Sequence, residues 1–131
     1  MEKQLFHDRF GVMSYDDDRG VLELRWFAET ESMNDDDYMG WLERFGVSAE
    51  QHHVQFIVID TLAFKHHPGA HTGPWREEHI IPQYNRAGVK KFAFLLPAGT
   101  APEAEPMPEG AAWFPTRYFD TRELIDRWFA S

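Results

Sequence analysis

Cysteine is absent from the 131 residues, which excludes disulfide staples, a thiol nucleophile and any cysteine-ligated metal. No stretch approaches the roughly 18 consecutive apolar residues of a membrane-spanning helix. Met1 to His7 has nothing resembling the apolar centre of a signal peptide. The expectation is a soluble, cytoplasmic protein without a membrane partner. Basic charge is also scarce: 13 Lys and Arg stand against 22 Asp and Glu, a net charge of -9. A concentrated basic surface for a phosphate backbone is therefore missing, and nucleic acid is not expected as a partner. The one adjacent basic pair, Lys90-Lys91, precedes an apolar run and reads as flanking charge. Catalytic signatures are missing too. There is no Gly-x-Ser-x-Gly elbow, phosphate loop or dinucleotide turn, and Ser14, Ser32, Ser48 and Ser131 sit at no strand-to-helix elbow. Glu77-Glu78 are neighbours on a helical pattern, point in different directions and read as solvated surface.

What the chain does have is apolar and aromatic surface. A hydrophobic content of 43%, with five Trp and eleven Phe, is enough for one core, so residues 1–131 are read as a single domain. Phe10 to Tyr15 and Val21 to Phe27 form a hairpin, in which Leu22, Leu24 and Trp26 alternate with Glu23 and Arg25. The connecting Asp16-Asp17-Asp18-Arg19-Gly20 lacks the spacing of a calcium loop and reads as a turn. Tyr38, Trp41, Leu42 and Phe45 share one helical face between Asn34 and Phe45, with Asp35 to Asp37 in the first turn and Gly46 placed to end it.

Val54 to Asp60 is apolar on both alternating faces, as in a central strand. A polar loop follows, then a helical pattern from Trp75 to Ala87 that Pro82 should kink or split, a stop at Gly88, and the strand Phe92 to Leu96. This is a β-loop-α-β unit, so its two strands should be parallel. Pro97 to Gly110, rich in Pro, Ala, Glu and Gly, reads as a long flexible loop. Thr116 to Phe119 is a short strand, and Asp120-Thr121-Arg122-Glu123 offers a capping box for a last helix that buries Leu124, Ile125, Trp128 and Phe129. The fold class expected is α/β: a single-domain mixed β-sheet of four to five strands, with an N-terminal hairpin and helices packed on it.

This order, carried by the Val54 to Asp60 strand, the Trp75 crossover segment, Ala87-Gly88-Val89-Lys90-Lys91-Phe92-Ala93-Phe94 and Arg117-Tyr118-Phe119-Asp120-Thr121 with Trp128-Phe129, resembles the STAS superfamily, most closely its SpoIIAA-like branch. The resemblance covers nearly the whole chain. It implies a small mixed sheet and a bacterial-type binding or regulatory role more often than catalysis. Anti-sigma-factor antagonists of this fold carry an Asp-Ser-Ser-Gly segment with a phosphorylated serine; here that region offers only Asp60-Thr61 and Thr72, so no phosphorylation switch is carried over. The family's third helix has no match in Pro97 to Gly110.

Open α/β sheets bind ligands beyond the carboxyl ends of their strands. The residues placed there are Asp60, His66, His67, His71, Trp75 and His79, a candidate ligand-binding set for a small-molecule or protein partner centred on Trp75. The plainer reading is a polar loop with solvated or hydrogen-bonded histidines. The alternative is a metal-assisted enzyme holding zinc or another divalent metal on His67, His71 and His79, although Pro68-Gly69 breaks the helix that the His67/His71 interval would need. The first reading needs no cofactor. The aromatic load also suggests a homo-oligomer, a dimer in the simplest case.

Overall fold

In the computed structural model, which describes residues 1–103 and 105–131, the alternating pattern of the hairpin is realised as β2 (Gly11–Asp16) paired antiparallel with β3 (Val21–Trp26). Asp16 closes the connection by accepting the backbone N–H groups of Asp18 and Arg19, at 3.1 and 3.4 Å, and Gly20 takes the left-handed conformation at φ 69°. Asp16 thus supplies the turn chemistry of this connection.

Among the described residues the sheet has seven strands, more than the four or five expected. β1 (Glu2–His7), β4 (Phe56–Asp60), β5 (Lys91–Leu95), β6 (Met107–Pro108) and β7 (Pro115–Phe119) complete it in the order β1-β2-β3-β4-β5-β7-β6. β3, β4, β5 and β7 run parallel, while β1 and β6 add antiparallel edges. Both extra strands have the same physical origin. An edge strand is held by its ladder more than by burial, so Glu2-Lys3-Gln4, all exposed, shows no apolar period, and a bulge between Gln4 and Phe6 disturbs what alternation there is. β6 is two residues inside the Pro-rich stretch, too short for any period. Ala104, in that predicted loop, lies outside the described residues.

Two apolar cores flank the sheet. On one face Leu22, Leu24, Trp26, Ile57, Ile59 and Phe92 meet α1 (Asp35–His52), α2 (Thr72–His79) and α3 (Ile81–Ala87). On the other, Val21, Val58, Ala93, Leu95 and Phe119 meet Ile125 and Phe129 of α4 (Arg122–Ala130). Each fully buried side chain of this size stabilises by about 1.5–3 kcal/mol against exposure. Pro82 splits the crossover as predicted, with Ile80 between α2 and α3. No helix among the described residues is long and apolar enough to cross a membrane.

The first helix corrects the sequence reading. It runs through Gly46 to His52 and ends at His53, which takes the left-handed conformation. Gly46 serves close approach instead of termination: a Cβ there would stand 1.9 Å from Gln83 Oε1 of α3. The capping of α4 is likewise shifted by one residue, because Thr121 and not Asp120 is the N-cap, accepting the Leu124 N–H at 3.3 Å. Between β5 and β7 no helix occurs among the described residues.

Candidate functional site

β4 delivers its last residue to a crossing of loops, and strand alternation decides where each side chain goes. Ile57 and Ile59 face the three-helix side, so Val58 and Asp60 face α4. Asp60 is buried, and both carboxylate oxygens are engaged: Oδ1 accepts the Leu62 N–H at 3.0 Å and Oδ2 accepts Arg122 Nη2 at 2.8 Å. Arg122 also makes a two-pronged contact with Glu23, at 2.7 and 2.9 Å. Asp60 therefore belongs to a clamp between the sheet and α4.

The histidine loop turns to the opposite side. His66 Nε2 lies 2.8 Å from Asp35 Oδ1, and the same carboxylate accepts the Gly69 N–H at 3.1 Å and approaches His71 Nε2 at 3.8 Å. The Gly69 hydrogen bond, followed by His66, holds the Asp35 carboxyl below the usual carboxylate range. Farther back, the Lys65 N–H donates to the buried Thr30 hydroxyl at 2.9 Å, which itself donates to the Phe27 carbonyl. The loop is thus stitched to the start of α1 and the turn before it. His66 packs on Tyr38, with ring centroids 5.5 Å apart, while His67 is exposed. Trp75, half-buried on α2, has its ring 6.2 Å from that of the exposed His79.

Of the six residues singled out from the sequence, His66 and His71 converge on Asp35, Trp75 and His79 are neighbours, and Asp60 lies across the sheet. They do not line one cleft. Among the described residues, His67, His71 and His79 do not gather their ligand atoms; the group that does is Asp16, Asp17 and Asp18, around the Met1 ammonium. An open groove of about 590 Å³ near Pro102, Glu103, Arg117, Asp120 and Leu124 includes none of the six. Thr61 and Thr72, the hydroxyls near the family's phosphorylation segment, donate to the Leu95 and Gly69 carbonyls at 2.7 and 2.8 Å.

Asp35 and Arg122 are the residues the sequence reading missed. Asp35 was explained as a first-turn residue favoured by the helix dipole, which concealed its second role. Arg122 did carry a signal, since a cation in a first helical turn opposes the dipole and calls for a carboxylate partner. Comparison with known proteins finds no matching family model, no similar curated protein and no similar solved structure.

Proposed function

We propose that the protein is a binding or regulatory module of STAS type, nearest the SpoIIAA-like branch, with no reaction assigned to it. The observation that supports this reading is the sheet: an antiparallel hairpin continued by parallel β4, β5 and β7, with α1 to α3 on one face and α4 on the other. The contact face is the three-helix side beyond the end of β4, where Tyr38 packs on His66 beside a loop fixed by Asp35, and where Trp75 and His79 stand together on α2. A small molecule or protein partner is recognised there by an aromatic platform with few directed polar groups. Both nearby threonine hydroxyls are committed to backbone carbonyls, so the switch of the anti-sigma-factor antagonists is not part of the proposal.

Metal analysis of untagged protein, purified without metal-affinity resin, tests this. The expected result is no stoichiometric zinc, nickel or iron; one metal per chain with His67, His71 and His79 resonances perturbed would replace the module by a metal-assisted enzyme. The proposal includes a homodimer, with Trp113, 78% exposed, in the contact. Light scattering should give twice the chain mass, and Trp113→Ala should shift it toward monomer. A monomer at high micromolar concentration overturns the dimer alone.

A further inference from the structure

The open groove of about 590 Å³ beside β7 belongs to none of the contacts described above. Arg117, Tyr118, Phe119 and Asp120 all line it. Successive side chains of a strand point to opposite faces of the sheet, so a cavity that touches four consecutive residues runs along the strand's edge and not over either face. At about 3.3 Å per residue it follows the chain for about 10 Å, the length of a short extended segment.

The edge that it follows is unpaired. β6 covers β7 only at Pro115 and Thr116, through Pro108 and Met107. The Phe119 carbonyl accepts the Leu96 N–H on the β5 side. Neighbouring residues of a strand turn their backbone groups to opposite sides, so Thr116 and Tyr118 present theirs outward. Thr116 meets Met107 there, whereas among the described residues the Tyr118 N–H and C=O meet no backbone partner. Continuing the β6 register would set Glu105 opposite Tyr118, yet β6 stops at Met107 and Glu105 stands on the groove's wall. A sheet edge left open beside a groove is a template for another strand.

The walls select the kind of strand. Glu103, Glu105 and Asp120 line the groove against one cation, Arg117, which lies over the Phe119 ring. Glu103 and Glu105 are exposed and, among the described residues, form no ion pair. Leu124, 44% exposed near the start of α4, adds an apolar wall. We propose that this groove docks an extended peptide of a partner protein, with alternating basic and apolar side chains, which joins the sheet at the Tyr118 backbone. Main-chain hydrogen bonds attach the peptide, the three carboxylates favour its basic side chains, and Leu124 receives an apolar one. An acidic segment is repelled by the groove and by the net charge of -9. This edge is separate from the contact face on the three-helix side, so neither surface depends on the other.

The test is a titration of the nitrogen-15-labelled full chain with the end-blocked pentapeptide Lys-Leu-Lys-Val-Lys, followed through the backbone amide of Tyr118. That resonance should move downfield saturably and its exchange with solvent should slow, while the amides of β1 stay unchanged. Methylating every second peptide nitrogen removes the donors along one side of the peptide. Of the two alternate methylated versions, the one blocked toward β7 should bind about tenfold more weakly, as for the loss of two hydrogen bonds. The same peptide with Glu in place of Lys should not bind. Glu105→Lys should weaken the Lys peptide several-fold with the melting temperature retained. Absence of a saturable Tyr118 shift up to several millimolar overturns the proposal. So does binding that neither methylated version weakens, which would be charge attraction alone, and so does equal binding of the Glu peptide. A Tyr118 amide already protected from exchange in the unbound protein also overturns it, because the chain itself would then occupy the edge.

Discussion

A carboxylate in the first turn of a helix ordinarily answers the helix dipole, and among the described residues Asp36 and Asp37 have no wider reach than that turn. Asp37 closes the capping box with Asn34, accepting the Asn34 N–H at 3.1 Å while the Asn34 side chain accepts the Asp37 N–H at 2.8 Å. Asp35 is turned outward instead, toward Gly69, His66 and His71. Its folded-state pKa lies below the ordinary value, so the stabilisation it gives is complete above the unfolded carboxylate pKa and disappears as pH falls through the depressed folded one. Asp35→Asn should therefore lower the melting temperature at neutral pH and flatten its decline between about pH 5 and pH 2. Thermal melts across that range check it; equal slopes for the two proteins would mean the loop is held by other contacts.

At the level of elements, α4 stands alone on its face of the sheet, resting on β5 and β7 with Ile125 and Phe129 as its buried anchors. Arg122 adds the polar half of the attachment. Removing one member of a buried ion pair strands the other, and Asp60 is the buried member here, while Arg122 is about half exposed and screened by water. Arg122→Ala should cost about 1–3 kcal/mol in urea denaturation, and Asp60→Asn added to it should recover part of that loss.

The hairpin, the parallel β4–β5 pair and the helix break at Pro82 were legible because each depends on local period or backbone chemistry. β1 and β6 were not, since edge strands draw on hydrogen-bond ladders that leave no apolar period. The site was half legible for a different reason. A central strand apolar on both sides does not reveal which way its last residue points, so Asp60 and the histidines were grouped although the sheet separates them. The extension of α1 past Gly46 was hidden in the same way, because only the position of Gln83 distinguishes a stop from a close approach.

For the molecule as a whole, the sheet is a partition with unequal sides: three helices and most of the aromatic core on one, a single helix over β5 and β7 on the other. On the single-helix side Arg122 is neutralised within the fold by Glu23 and Asp60. At the end of β4 the chain serves both sides at once. Asp60 reaches toward α4 while Thr61 ties the chain to the Leu95 carbonyl and the loop departs to the Asp35 side.

That junction gives one backbone amide an unusual duty. The Leu62 N–H belongs to an exposed residue, where hydrogen exchange with solvent is ordinarily fast, yet it is held by the carboxylate that anchors Arg122. Its exchange rate becomes a gauge of whether α4 is seated: slow in the native protein, faster in Arg122→Ala, and unaffected by changes in β1. A loop amide at the end of β4 thereby records the docking of α4.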